Sequence, residues 1–250
     1  MWSVFLVSII SFHTSLLWAG VPHSFSQNNV RYKTFTGECP QKSSASFALL
    51  VMKEFEKSNS LKLVKEKILK EKLDEKHFLS DYRISYNPVI KTIRMNLDCP
   101  QPLLKVQVYK TNGEEHYSAV MGDNSKLYDP GYENLMKAEK KLNYHLPLLA
   151  ISTKQLEGDV PHRMTQFIKQ MDKDHRSQIS EIILSKNSDL TIVFAFSGKA
   201  TSVFLGADLW EEKLLKLTKI IDYVHKNKRY PGSINLVNAK KVVVKFSDKI

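Results

Sequence analysis

Little in this chain of 250 residues is set up for chemistry. It has two cysteines, Cys39 and Cys99, and their spacing fits no zinc or redox motif. Its nine glycines fall mostly at turns, which leaves little for loops that cradle a cofactor. There is no Gly-x-Ser-x-Gly elbow, no phosphate-binding glycine loop and no Asp-x-Asp-x-Asp calcium loop. The eight histidines include no His-Glu-x-x-His or other paired ligand spacing. The acidic pairs Glu114-Glu115 and Glu211-Glu212 lie in a turn and on a helix, with nothing nearby to form a dry pocket and raise one pKa. No repeat of fixed period and no low-complexity tract is present. These absences argue against an enzyme, and against a resident metal or cofactor. A secreted hydrolase with an unrecognised site is the weakest of the remaining classes.

Charge is missing in one place. Residues 2–20 are largely apolar and contain no Lys, Arg, Asp or Glu. About 19 residues is near the lower limit for a membrane-spanning helix. A signal anchor, a cleaved signal peptide ending near Leu16-Leu17-Trp18-Ala19-Gly20, and a buried core helix are the three readings. No cation precedes the run, as an anchor ordinarily requires. Either of the first two readings exports the rest of the chain. In an oxidising compartment Cys39 and Cys99 could pair, the alternative being two buried thiols.

Elsewhere charge is abundant, with a formal net charge of +11. Such an excess suits an anionic partner. The lysines are spread over several helices, however, and no nucleic-acid motif accompanies them, so a solvated basic surface is the plainer reading and nucleic acid is not expected.

Periodicity divides the chain in two. A short alternating strand (30–35), helices at 45–57 and 64–74, and strands at 78–86 and 89–97 make a β-α-α-β-β module of a size that folds alone. Ser43 and Ser44 are candidate N-caps of the first helix. The second module reads as short strands at 104–109, 117–121 and 125–128, an apolar segment at 146–149, a helix at 160–173 and a strand at 179–184. It closes with a hairpin (190–196, 200–205), a helix (209–226) and two short strands (233–236, 242–246). Asp208 with Glu211 three residues on predicts a capping box. The fold class is therefore α+β, with a larger mixed sheet carrying helices.

Val242, Val243, Val244, Lys245 and Phe246 form the last strand. A final strand with nothing after it has an unpaired edge, a template for a partner's backbone, with Phe246 as an aromatic anchor. The alternatives are an interior strand, or an edge protected by Lys240, Lys241 and Lys245.

In order and spacing the whole region resembles the FtsQ/DivIB family of bacterial cell-division proteins, a POTRA domain followed by a β-domain. The segments that carry the likeness are Phe35-Thr36-Gly37-Glu38, Tyr86-Asn87-Pro88-Val89-Ile90, Pro102-Leu103-Leu104, Leu146-Pro147-Leu148-Leu149, Phe204-Leu205-Gly206 with the helix through Ile221, and Ile234-Asn235-Leu236. Cys99 stands where the family usually has Glu, Asn235 where it has Asp, and Val237-Asn238 where it has an Arg-aromatic pair. The resemblance implies a signal anchor at 1–20, a linker at 21–29, a POTRA domain at 30–103 and an FtsQ-like β-domain at 104–250. It implies a single-pass inner-membrane protein at the division septum with its bulk in the periplasm. It also implies a non-enzymatic divisome scaffold without cofactors, which helps to regulate septal peptidoglycan synthesis. FtsB- and FtsL-like partners would add a strand at Val242–Phe246, and other divisome components would bind elsewhere. In a POTRA sheet the first and third strands are neighbours, which implies that Cys39 and Cys99 pair. The rival reading is a POTRA-type transport or outer-membrane assembly factor.

Overall fold

The structure is a computed structural model that describes residues 30–185 and 187–246. The fold is mixed α+β, with a β-α-α-β-β-like module followed by a larger sheet. The first module comprises β1 (Arg31–Phe35), α1 (Gln41–Ser58), α2 (Leu61–Glu71), α3 (Leu73–Lys76), β2 (Asp81–Asn87) and β3 (Thr92–Asp98). The strand order is β1-β3-β2, with β1 parallel and β2 antiparallel to the central β3. Along β3, Ile93, Met95 and Leu97 are buried and Arg94, Asn96 and Asp98 are exposed, the period of two that one covered face imposes. Phe47, Val51 and Phe55 of α1, with Val64 and Ile68 of α2, complete this core.

Two helix starts differ from expectation. α1 begins at Gln41, directly after Pro40, and not at the serines. Ser44 instead donates back to the Pro40 carbonyl (2.9 Å), and Ser43 donates to the carbonyl of His77 (2.6 Å). α2 begins three residues earlier than its apolar pattern, because Ser60 caps it by accepting from the Leu63 N–H.

The second module comprises β4 (Pro102–Tyr109), β5 (Glu115–Gly122), β6 (Leu127–Tyr128), α4 (Gly131–Ala138), β7 (Leu148–Ser152), α5 (Thr153–Leu156), α6 (Val160–Gln170), α7 (Lys173–Ser177) and β8 (Ile179–Leu184). It continues with β9 (Leu190–Phe196), β10 (Lys199–Gly206), α8 (Trp210–Asn227), β11 (Ser233–Asn235) and β12 (Val243–Lys245). Nine strands form one sheet in the order β12-β11-β10-β9-β8-β7-β4-β5-β6. α6 and α8 cover one face, where Met164, Phe167, Leu214, Leu217 and Ile221 join a core with Val106, Ile151, Ile192, Phe194 and Val203.

The Asp208–Glu211 capping box does not form. α8 starts at Trp210 after Leu209, whose φ is 50°, and has no side-chain cap. A stronger partner takes the Asp208 carboxylate: Lys213 is fully buried, and its Nζ donates to Asp208 Oδ1 (2.7 Å) and to the Leu205 carbonyl (2.7 Å). A buried ammonium needs such acceptors.

The modules meet through specific contacts. The Glu139 carboxylate accepts the N–H groups of Gln41 (2.7 Å) and Lys42 (3.1 Å), which satisfies the free donors at the start of α1. Lys141 Nζ donates to the Cys39 carbonyl. Tyr132 is fully buried; its ring stacks on Phe78 at 4.7 Å and its hydroxyl donates to the Pro100 carbonyl. Cys39 and Cys99 follow the ends of the paired strands β1 and β3 and are joined in a disulfide, with their Cα atoms 5.0 Å apart.

The membrane placement requires correction. Among the described residues no helix is long and apolar enough to cross a membrane. The two longest, α1 and α8, have 18 residues each and both carry several lysines and glutamates. The expected transmembrane helix and single-pass inner-membrane topology, with the periplasmic and septal location that followed from it, are therefore withdrawn. The segment on which they rested, residues 1–20, and the linker at 21–29 lie outside the described residues.

Candidate partner-binding edge

β11 and β12 reach their position by a crossover. β10 leads through α8 to β11, which pairs parallel with β10 (Ser202↔Ser233, Val203↔Ile234, Phe204↔Asn235). The chain then turns and β12 returns antiparallel (Ser233↔Lys245, Ile234↔Val244, Asn235↔Val243). Asparagine side chains hold the turn: Asn235 Oδ1 accepts the Val237 N–H (3.0 Å) and Asn238 Oδ1 accepts the Lys240 N–H (2.9 Å). Lys216 of α8 donates to the Ala239 carbonyl, tying the turn to the helix.

β12 is the outermost strand on this side, with β11 as its one neighbour among the described residues. Its second row of backbone groups is therefore free to pair with an incoming strand. Val244 turns inward and packs against the main core, while Val243 and Lys245 face outward. Val242, Val243 and Phe246 are 41%, 39% and 38% exposed, so three apolar side chains border the free edge.

A groove of about 460 Å³ runs beside this strand, lined by Ile220, Tyr223, Val224, Asn227, Arg229, Val244 and Phe246. The Arg229 guanidinium lies over the Phe246 ring at 4.3 Å. Tyr223 is 66% exposed and lines the groove from the α8 side. The structure thus gathers Val244 and Phe246 of the predicted strand with Ile220, Tyr223, Val224 and Asn227 of α8 and with Arg229 just after it. Ile220 and Val224, at helical spacing, were the available signal. Tyr223 and Arg229 carried none, since the crossover brings them to β12. Val242 lies just outside the strand.

A second groove, about 530 Å³, lies between α3 and β6 and is lined by Asp74, Glu75, Lys76, Lys126 and Asp129. Among the described residues, no group of three or more His, Cys, Asp or Glu is arranged to hold a metal ion. His175 sits between Asp172 (2.6 Å) and Asp222 (3.4 Å) and so links α7 to α8. A larger groove, about 700 Å³, lies between the β4–β5 turn and α5; its lining includes Lys110 and Lys154 but no carboxylate or histidine.

No protein-family model matches this chain, and no curated protein matches it.

Proposed function

We propose that the chain is a non-enzymatic scaffold of bacterial cell division of the FtsQ/DivIB type, with a POTRA-like first module and an FtsQ-like β-domain. It holds an FtsB- or FtsL-like partner by strand addition along β12. The observation that carries this reading is the outer flank of β12, which has no partner strand among the described residues and is bordered by Val242, Val243 and Phe246 and backed by the α8 groove. Backbone pairing supplies affinity in such a complex, and alternate side chains entering pockets supply specificity. An apolar partner residue would fill the groove against Val224 and Phe246. The order of the resembling segments along the chain supports the division class over the transport class.

The test is capture of FtsB- and FtsL-like proteins of the same cell by the full chain. The double variant Val243→Lys/Phe246→Ala and a chain lacking residues 242–246 serve as comparisons. Capture that both changes abolish, with melting curves intact, is the expected result. Capture indifferent to both would sink the edge assignment, and no capture by the unaltered chain would sink the division reading.

A further inference from the structure

The open face of the three-stranded sheet collects cations that lie far apart in the sequence. β3 turns Ile93, Met95 and Leu97 to the helices, so Arg94 and Asn96 face away. The register carries that face across all three strands. Lys33 lies beside Arg94, and Arg94 beside Ser85. Two residues further along β3, Phe35 lies beside Asn96, and Asn96 beside Arg83; two residues back, Arg31 lies beside Thr92. Arg31, Lys33, Arg94 and Arg83 therefore form one zigzag, and Lys91 adds a cation at the turn into β3. All five are exposed. None of them forms an ion pair among the described residues. The carboxylates of the same face, Asp81 and Asp98, sit opposite each other one step beyond Arg83 and Asn96, so they neighbour Arg83 and leave Arg31, Lys33 and Arg94 without an adjacent acid on this face.

Like charges directly opposite on neighbouring strands destabilise a sheet. Neighbouring strands are about 4.8 Å apart, and alternate residues along one strand about 6.8 Å. Both spacings fall within the screening length of about 8 Å at physiological salt. The repulsion between Lys33 and Arg94 is thus built into the register with no carboxylate set against it. Apolar groups frame the field: Phe35 is 57% exposed at one end, and Val89 and Ile90 are 88% and 51% exposed at the other.

We propose that this face docks an extended acidic segment of a partner protein. Its Asp or Glu side chains would lie at alternate positions over Arg31, Lys33, Arg94 and Arg83, and its apolar flanks against Phe35 and against Val89 and Ile90. Acidic groups two apart on an extended chain repeat at the same spacing of about 6.8 Å as Arg31 and Lys33. The three guanidinium groups match carboxylates in bidentate fashion. Exposed apolar residues at both ends fit a protein segment better than a bare polyanion. Aromatic rings do not alternate with the cations, as a stacking platform for single-stranded nucleic acid requires. The inference concerns the first module alone and is independent of the β12 edge.

The test is fluorescence anisotropy of a labelled peptide of alternating glutamate and threonine, about ten residues long, titrated with the full chain. Saturable binding is expected, weakening as salt rises toward about 0.15 M. The Lys33→Glu/Arg94→Glu variant should bind about tenfold more weakly. The neutral variant Lys33→Gln/Arg94→Gln removes the repulsion without adding acids, should melt no lower than the unaltered chain, and should also bind more weakly. Lys199→Gln, at an exposed cation of β10 in the other sheet, should bind as before. Equal binding by the charge-reversed or the neutral variant overturns the proposal. So does equal binding of a peptide with its glutamates in one block. Tighter binding through the same residues of a single-stranded oligonucleotide, or of vesicles with about 30% phosphatidylserine, overturns the assignment to a protein segment.

Discussion

The nine-stranded sheet ends in two unlike edges. At one end β6 is two residues long, and its Tyr128 is buried, with its ring 6.5 Å from Phe78 of the first module and 5.8 Å from Tyr132 of α4. A separate small core of Val120, Tyr128, Tyr132, Met136, Leu142 and Leu146 closes over it. At the other end β12 is three residues long and half-exposed, with an apolar groove beside it and no described neighbour beyond it. A sheet edge is a liability unless it is short, carries charge, is covered or is paired, and β12 is short and carries Lys245. One edge is therefore sealed on its Tyr128 side by the chain's own side chains, with a groove of about 530 Å³ left between β6 and α3, and the other is left with the shape and chemistry of a docking strand. Side chains at the sealed edge should matter for stability, and side chains at the open edge for recognition.

The largest effect belongs to the sealed edge. Tyr132→Ala removes a fully buried ring stacked on Phe78 and leaves the Pro100 carbonyl without its donor. A loss of about 3–5 kcal/mol is expected from the cavity and the unpaired acceptor. Guanidinium denaturation measures it, and a loss under about 1 kcal/mol would contradict the sealed-edge account. Next comes the disulfide, which closes a loop with a sequence separation of 60. Reduction, or Cys39→Ser/Cys99→Ser, should cost about 4 kcal/mol by loop-closure entropy, and melting with and without reductant reads it. Glu139→Ala then exposes the first N–H groups of α1 and loosens the module junction. Its cost should be about 1 kcal/mol, with faster amide exchange at Gln41 and Lys42.

The open edge should behave in the opposite way. Val243 faces outward and is already 39% exposed, so Val243→Lys should change stability by no more than about 0.5 kcal/mol. The same change should abolish strand-dependent capture of a partner. If it lowered stability as much as Glu139→Ala, the two edges would not differ in kind.

Much of this architecture was readable in the sequence. The β9–β10 hairpin shows its β-branched and aromatic runs around Ser197-Gly198, and Gly198 takes a φ of 80° that suits glycine. The last strand was readable too, from the valine run 242–244, of which β12 keeps Val243 and Val244. Other features were hidden for physical reasons. α4 is eight residues long and begins at Gly131, inside Asp129-Pro130-Gly131, so a turn signal masked it. The Asp208 cap failed because a buried lysine five residues on competes for the same oxygen. The groove beside β12 needs Tyr223 and Arg229, which reach that edge only through the parallel crossover. The cationic face had no linear signal at all, since register between strands distant in sequence assembles it.

The smallest effect tests what holds the open edge in place. Val244 leans on α8 through Ile220 and Val224, and α8 is pinned at its start by Lys213. The hydrogen bond from Lys213, with its charge, holds the exposed Asp208 carboxyl below its usual range. A lowered pKa in the folded state means that the unfolded chain takes up the proton first. The contribution of the pair is thus fully present above the ordinary carboxylate pKa of about 3.9 and is lost as pH falls through the lowered folded value. Acid should therefore lower the protection of the first turn of α8 against amide exchange, taken relative to the intrinsic exchange rate at each pH, before it disturbs the core around Tyr132. In Asp208→Asn that first turn should exchange faster already at neutral pH and lose this acid step. An acid step of undiminished size in Asp208→Asn would mean that another group governs α8, and that the open edge is held by the core alone.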